Sequence, residues 1–245
     1  MTTVNAMLVA GFFSTMIVAV ADVQKKDVDI KAPDGVNLKG TYFSPGRPGP
    51  AVLLLHQCNM DRHAWDALAA DFARAGIQVL TFDFRGFGES GGERLTDPAA
   101  RRAIQQEKWP GDIDAAYAYL LSQKGVDKSR IAAGGASCGV AQSSNLAARH
   151  QEIKALVLLS GPASDAGRDY ITKTPTLPVF GAASEEDKNA AVGIRAVLEG
   201  SKNPQSMLKM YGGTEHGVPM FDKNPELEPM IVNWLKARLL VKKGS

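Results

Sequence analysis

Residues 130–149 read RIAAGGASCGVAQSSNLAAR, and this stretch decides the fold that we predict for the chain. A short apolar run at 131–133 is followed by the pattern G-x-S-x-G at 135–139 and then by small residues with helical spacing. In such a turn the central residue has a strained backbone, so its neighbours two positions away must be small. The pattern predicts a strand, a sharp turn and a helix, with the hydroxyl of Ser137 exposed at the turn.

Ser137 has two interpretations at this position. Free backbone N–H groups at a helix N-terminus stabilise developing negative charge, which suits a nucleophile that attacks a carbonyl group. Serine is also a common N-cap residue, so a glycine-rich loop with a purely structural serine is the alternative.

Outward from this stretch, aliphatic runs alternate with helical segments. The runs at 51–55, 77–82, 153–159 and 177–182 are typical of buried parallel strands, and 206–211 is the last predicted strand. Helices are predicted at 62–75, 112–123, 186–198 and after Asn224-Pro225. Residues 28–31 and 36–43 alternate in polarity around Pro33-Asp34-Gly35, as in a hairpin. We therefore predict an α/β fold with a doubly wound, mostly parallel sheet and an antiparallel N-terminal hairpin.

Composition limits the chemistry that this chain can use. Its 245 residues are 44% hydrophobic with a formal net charge of +2, which suits one globular domain at 22–245 and gives no reason to expect nucleic acid as a partner. Two cysteines and four histidines are too few for a cysteine-rich scaffold, and their spacing matches no metal motif. We therefore expect no cofactor and no metal.

The first 21 residues are predicted to be a signal peptide. An uncharged apolar run at 6–20 ends in Ala19-Val20-Ala21, which resembles a cleavage site and predicts export to a periplasm or beyond, without stable membrane association after cleavage. No lysine or arginine precedes the run, so an uncleaved N-terminal anchor is the alternative.

His216 is the candidate general base. It follows the last predicted strand, so its loop should lie at the same edge of the sheet as Ser137. A histidine can take a hydroxyl proton and return it near neutral pH. His63 and His150 fall on predicted helices, and His56 precedes a loop that is considered below.

The acid that would orient this histidine is less clearly marked. Ser184 is followed by three carboxylates in succession, and we favour Asp187 because it lies where the loop enters its helix. Glu185 is the main rival and Glu186 the second. A capping box formed by Ser184 and Asp187 is the structural alternative.

Together these segments resemble the α/β-hydrolase superfamily, and the chain is similar to its dienelactone hydrolase-like and small serine esterase members from about residue 28 to the C-terminus. The resemblance rests on four stretches: G-A-S-C-G at 135–139, D-F-R-G-F-G-E-S at 83–90, H-Q-C at 56–58 and T-E-H-G at 214–217. In this superfamily the nucleophile, acid and histidine follow in that order, and the 83–90 segment is a structural turn beside the site.

The resemblance also implies an oxyanion hole. One donor would be the backbone N–H of Cys138, and the second would be that of Cys58, the third residue of the H-G-x loop. Gln57 replaces the usual glycine, which leaves open whether Gln57 or Cys58 is the donor. Dienelactone-type members use a cysteine nucleophile, but a turn centred on Cys138 would need a small residue at Val140, so we favour Ser137.

If Cys58 and Cys138 both aim their N–H groups at one oxygen, their α-carbons should lie close together. A disulfide between the two cysteines in an oxidising compartment is therefore one hypothesis. Two free thiols, with side chains whose direction forbids the bond, are the alternative that the sequence leaves open.

The resulting prediction is a serine hydrolase that cleaves a carboxylic ester with Ser137, His216 and Asp187. The segment between residues 160 and 177 is too short for a large lid, which favours small or polymeric ester substrates. Residues 91–109 and Met220-Phe221 could shape an acyl pocket. An amidase or peptidase with the same residues, and a non-catalytic binding protein with this fold, are the alternatives.

Overall fold

The protein is built on a mostly parallel sheet, which we describe from a computed structural model covering residues 23–94 and 96–240. The predicted signal peptide at 1–21 lies outside these residues. The strands are β1 Gln24–Lys31, β2 Asn37–Ser44, β3 Gly49–Leu55, β4 Gln78–Phe82, β5 Val126–Ala136, β6 Ile153–Leu159, β7 Val179–Ser184 and β8 Met207–Tyr211. Their order across the sheet is β1-β2-β4-β3-β5-β6-β7-β8.

The N-terminal hairpin is antiparallel, as predicted. β1 pairs with β2, and β2 pairs antiparallel with β4, whereas the pairs from β4 through β8 are parallel. The turn closes with a hydrogen bond from the Ala32 N–H to the Val36 carbonyl at 2.9 Å, and Gly35 has a φ of +85°. Glycine adopts this backbone conformation without the steric cost of a side chain.

Helices cover both faces of the sheet. They are α1 Asp66–Arg74, α2 Pro98–Glu107, α3 Trp109–Ser122, α4 Cys138–Arg149, α5 Asp165–Lys173, α6 Lys188–Gly200, α7 Met220–Lys223 and α8 Leu227–Leu239, and a 3₁₀ turn Arg62–Trp65 precedes α1. Side chains alternate along β3: Leu53 shares a buried cluster with Ile113 of α3, and Leu54 shares the other cluster with Phe72 of α1 and Trp234 of α8. The doubly wound prediction is confirmed.

Two helices, α2 and α5, occupy segments for which the sequence pattern predicts no helix. α2 buries none of its residues, and α5 buries only Gly167 and Ile171, so neither has a broad apolar stripe. Their caps are regular: Asp97 accepts a hydrogen bond from the Ala100 N–H at 2.6 Å, and the Ser164 side chain caps α5. The segment between β6 and β7 therefore contains a single nine-residue helix and no large lid.

None of the helices in residues 23–94 and 96–240 combines the length and the apolar character that crossing a membrane requires.

Candidate active site

Ser137 lies at the predicted sharp turn between β5 and α4. Its backbone has φ 53° and ψ −118°, a region that non-glycine residues rarely adopt. The Ser137 N–H donates to the Leu159 carbonyl at 2.8 Å, which ties the turn to the end of β6. A side chain held in this way projects from the carboxyl edge of the sheet, where the loops of the neighbouring strands meet.

The two glycines of G-x-S-x-G are needed for close backbone contacts. A β-carbon on Gly135 would overlap the carbonyl group of Gly139, and a β-carbon on Gly139 would overlap the carbonyl oxygen of Leu55. Both overlaps involve backbone atoms, which cannot move aside as a side chain does. The expectation that small residues frame the serine is thus explained by direct strand-to-helix contact.

The predicted nucleophile, acid and base come together at one cavity. Ser137, Asp187 and His216 all line a cavity of about 320 Å³ at the carboxyl edge of the sheet. Ala141, Pro162 and Ala190 form part of its wall, so the wall of the cavity is partly apolar. The three polar residues come from the loops after β5, β7 and β8.

The imidazole of His216 is held by Asp187. The Nδ1 atom of His216 lies 2.5 Å from Oδ2 of Asp187, and the imidazole is 40% exposed while the carboxylate is 18% exposed. A carboxylate only accepts hydrogen bonds, so Nδ1 carries the proton and Nε2 is left as an acceptor. Within the described residues, the hydrogen bond that the His216 imidazole makes is to Asp187, and none joins it to the Ser137 hydroxyl. Such contacts are often long in unliganded enzymes and tighten when substrate binds.

The carboxylate of Glu185, the main alternative for the acid, contacts Arg195 and not His216. Both carboxylate oxygens of Glu185 accept from the Arg195 guanidinium, at 2.6 and 2.7 Å. The capping box that sequence alone allows is not formed, because the Ser184 hydroxyl donates to the Glu215 carbonyl at 2.7 Å and Asp187 makes no side-chain cap bond. Of these residues, Asp187 is the one in contact with the imidazole.

The two cysteines form the disulfide that the sequence suggested. Cys58 and Cys138 are bonded, with their α-carbons 5.9 Å apart across a sequence separation of 80 residues. This bond joins the loop after β3 to the first residue of α4, beside Ser137. Among the turn, loop and cap hydrogen bonds of the described residues, none has the backbone N–H of Gln57, Cys58 or Cys138 as its donor, so Gln57 and Cys58 both stay candidates for the second oxyanion donor.

Sequence reasoning missed the role of the Gln57 side chain. The residue is 1% exposed, and its amide bonds to the loop that carries His216. The sequence marked Gln57 only as a replacement for glycine, because a contact across 161 residues leaves no local pattern.

The other histidines are structural. His56 is buried; its Nε2 accepts from the Phe84 N–H at 3.0 Å, so its Nδ1 donates to the Gln57 carbonyl at 2.8 Å. Burial lowers the pKa of His56, which favours the neutral ring that this arrangement needs. His63 and His150 bond to Asp66 and Asp114 away from the cavity.

The segment at 83–90 is also structural, as the resemblance implied. Asp83 is fully buried and accepts from the Arg62 backbone N–H at 2.7 Å and from its guanidinium at 2.5 Å. Arg85 bonds to Asp112 and Asp34, at 2.5 and 2.7 Å, and these hydrogen bonds raise the pKa of the arginine. No group of three or more potential metal ligands occurs among residues 23–94 and 96–240.

The sheet order and the strained serine turn define the class of α/β hydrolases. The sequence profile described as "alpha/beta hydrolase fold" matches residues 50–181, so the chain belongs to that family.

Curated relatives match parts of the chain. An uncharacterized protein of Mycobacterium tuberculosis is 32% identical over 156 residues, which is 63% of this chain and 51% of that protein. A thiohydrolase of Aspergillus aculeatus, aneE, is 29% identical over 132 residues, covering 54% of this chain and 40% of that protein. The chain thus spans about half the length of the curated relatives it matches.

Solved structures with the same fold match nearly the whole chain. An esterase of Pyrococcus furiosus superposes with a TM-score of 0.71 at 22% identity, covering 96% of this chain and 99% of the esterase. A cold-adapted esterase from an Arctic intertidal metagenomic library gives a TM-score of 0.69 at 21% identity, covering 89% and 94%. At these identities the likeness establishes the fold.

Proposed function

We propose that the protein is a serine hydrolase that cleaves carboxylic esters through an acyl-enzyme intermediate. The observation that carries this proposal is the 2.5 Å contact between Asp187 and His216 at a cavity that the strained Ser137 also lines. Nucleophile, base and orienting acid within one cavity are what acyl transfer to water requires.

In the first half of the proposed reaction, the Ser137 oxygen attacks the ester carbonyl carbon and its proton passes to Nε2 of His216. Asp187 stabilises the imidazolium that forms. The backbone N–H of Cys138, with that of Cys58 or Gln57, stabilises the oxyanion. The carbon–oxygen bond of the ester then breaks, and the departing alcohol takes the proton from His216.

In the second half, water replaces the alcohol. His216 takes a proton from water as the water oxygen attacks the acyl carbon, and it returns that proton to the Ser137 oxygen when the acid leaves. No other group has to change its protonation state in this scheme.

Small or polymeric esters are the substrates that we favour. The single short helix between β6 and β7 leaves the cavity without a large cover, and the partly apolar wall of the cavity suits a modest acyl group. Similarity to a fungal thiohydrolase makes thioesters a second candidate, since the same steps apply with sulfur as the leaving atom.

Labelling with a fluorophosphonate tests the nucleophile. We expect one covalent adduct on the folded protein, mapped by mass spectrometry to the peptide that contains Ser137, and no adduct on Ser137→Ala. If the native protein is not labelled at Ser137, a non-catalytic binding protein becomes the better interpretation.

A substrate panel tests the leaving group. We would compare nitrophenyl esters, acyl thioesters and aminoacyl nitroanilides by kcat/KM, with Ser137→Ala as the background for each. Preference for nitroanilides would replace the ester proposal with amide or peptide cleavage.

A further inference from the structure

The side chain of Gln57 joins the two halves of the candidate site. Its Oε1 accepts from the Val218 N–H at 2.9 Å, and its Nε2 lies 3.4 Å from the His216 carbonyl oxygen. The same Nε2 donates to Oδ1 of Asn59 at 2.8 Å. Gln57 therefore connects the loop after β3 with the loop after β8.

The surroundings allow only one orientation of this amide. The Val218 N–H needs an acceptor and the His216 carbonyl needs a donor, and both are backbone groups, so the oxygen and nitrogen of the Gln57 amide cannot exchange places. Gln57 is 1% exposed, so water cannot easily replace these bonds.

The backbone of the histidine loop is shaped around Gln57. Gly217 has a φ of +71°, and a β-carbon there would overlap Oε1 of Gln57. Glycine thus lets the backbone pass directly over the amide. On the other side of the loop, the Glu215 carbonyl accepts from the Ser184 hydroxyl at 2.7 Å. The backbone next to His216 is therefore fixed from both β7 and the loop after β3.

We propose that Gln57 is a positioning residue for the general base: its buried amide sets where the imidazole of His216 stands relative to the nucleophile and the oxyanion donors. The inference rests on the proposed function, because it assigns a task within that catalytic site. The side chain of Gln57 touches neither the substrate nor the reacting atoms in this assignment. A base displaced by about 1 Å can lower the rate roughly 100-fold, so a rigid link between the two loops matters for turnover.

The first experiment compares Gln57→Met with Gln78→Met. Methionine has a similar length but cannot make the amide hydrogen bonds. Gln78 is the matched control, because it is also 1% exposed and also uses both amide atoms, with the Tyr42 hydroxyl at 2.5 Å and the Arg47 carbonyl at 3.0 Å. It lies at the start of β4, at the opposite edge of the sheet from Ser137.

We expect both variants to lower the unfolding midpoint, since each loses buried hydrogen bonds. On a nitrophenyl ester, Gln57→Met should lose about 10- to 100-fold in kcat with KM changed less than threefold. Gln78→Met should keep kcat within twofold. Equal kcat losses in the two variants, or no loss in Gln57→Met, would overturn the assignment.

A second experiment asks whether Gln57→Met lowers the rate through His216 or through the loop after β3, which carries the second proposed oxyanion donor. Residual ester hydrolysis after removal of the base still depends on the oxyanion donors. If Gln57 acts through His216, adding Gln57→Met to His216→Ala should change the residual rate less than twofold. A further loss of 10-fold or more in the double variant would show that Gln57 acts elsewhere.

The two hypotheses fail in different ways. If Ser137→Ala keeps the activity of the native protein, the proposed function is wrong. If Ser137→Ala abolishes activity while Gln57→Met retains it, the function stands and the role of Gln57 is wrong.

Discussion

Two carboxylates close together on one loop have different partners. Asp187 contacts the imidazole of His216, and both oxygens of Glu185 accept from Nη2 of Arg195 at the surface. The sequence could order these candidates but could not exclude either, because both follow β7 within a few residues. The direction of each side chain, set by the turn into α6, separates them.

The variant Asp187→Asn tests which of the two carboxylates orients the imidazole of His216. An asparagine of the same shape can offer its NH₂ group to the imidazole and stabilise the wrong tautomer, so we expect kcat on a nitrophenyl ester to fall about 10⁴-fold. Glu185→Gln removes a charge from an exposed ion pair and should leave kcat within twofold. A large loss in Glu185→Gln with full activity in Asp187→Asn would reverse the assignment of the acid.

The residues of the candidate site that could be predicted are those with a local signal. Ser137 stands within G-x-S-x-G, and His216 follows the last strand. The task of the Gln57 amide could not be predicted, because it depends on a partner 161 residues away and on the left-handed backbone of Gly217.

At the level of elements, the disulfide joins the loop after β3 to the start of α4. Cross-linking residues 80 apart restricts the unfolded chain, and loop-closure entropy gives about 4 kcal/mol of stabilisation for a loop of this length. We expect reduction to lower the free energy of unfolding by about that amount, measured by urea denaturation with and without dithiothreitol.

Thiol titration checks the bond directly. The denatured, non-reduced exported protein should show no free thiol, and reduction should release both cysteines. Two free thiols before reduction would contradict the disulfide.

The hairpin turn between β1 and β2 carries a pH-sensitive ion pair. Hydrogen bonds from Arg85 lower the pKa of Asp34 from 3.8 to about 2. As the pH falls, the Asp34 carboxylate is protonated in the unfolded chain before it is protonated in the folded protein. The stabilisation that its ion pair with Arg85 provides is therefore present above pH 3.8 and is lost as the pH falls through about 2. We expect the unfolding midpoint of the native protein to fall more steeply across this window than that of Asp34→Asn.

Asp112 also contacts Arg85, and burial raises its pKa, which gives the opposite pH dependence. Asp112 is buried in both proteins, so the effect of its burial is common to the two, and the difference between them reports the removal of the Asp34 charge. If the unfolding midpoint changed with pH at the same slope in the native protein and in Asp34→Asn, this interpretation would be contradicted.

Strands were easier to predict than helices. The run at 153–159 matches β6 to the residue, since a strand buried on both faces has an unbroken aliphatic sequence. α2 and α5 were missed because helices that bury few side chains show no strong period. Their start signals, Asp97-Pro98 and Ser164, were present in the sequence, but a cap without an apolar stripe is a weak indication.

At the scale of the whole molecule, we propose that the protein is exported. The apolar run at 6–20 predicts cleavage after Ala21, and a disulfide beside the site is stable in an oxidising compartment. Mass spectrometry of the protein from a periplasmic or extracellular fraction should find a mature N-terminus at Asp22. Recovery of the protein with its N-terminal segment intact in the membrane fraction would favour the alternative, an uncleaved N-terminal anchor.

The position of β8 has a consequence for how the molecule responds to heat. Within the described sheet this strand lies at the edge, it pairs only with β7, and all five of its residues are half-buried. Edge elements fray at lower free energies than central ones, and His216 follows this strand. On heating, we therefore expect activity to be lost at a temperature several degrees below the unfolding transition that far-ultraviolet circular dichroism measures. Cooling from a temperature between these two transitions should restore the full rate. Coincident inactivation and melting curves would show instead that the outermost strand is as firmly held as the rest.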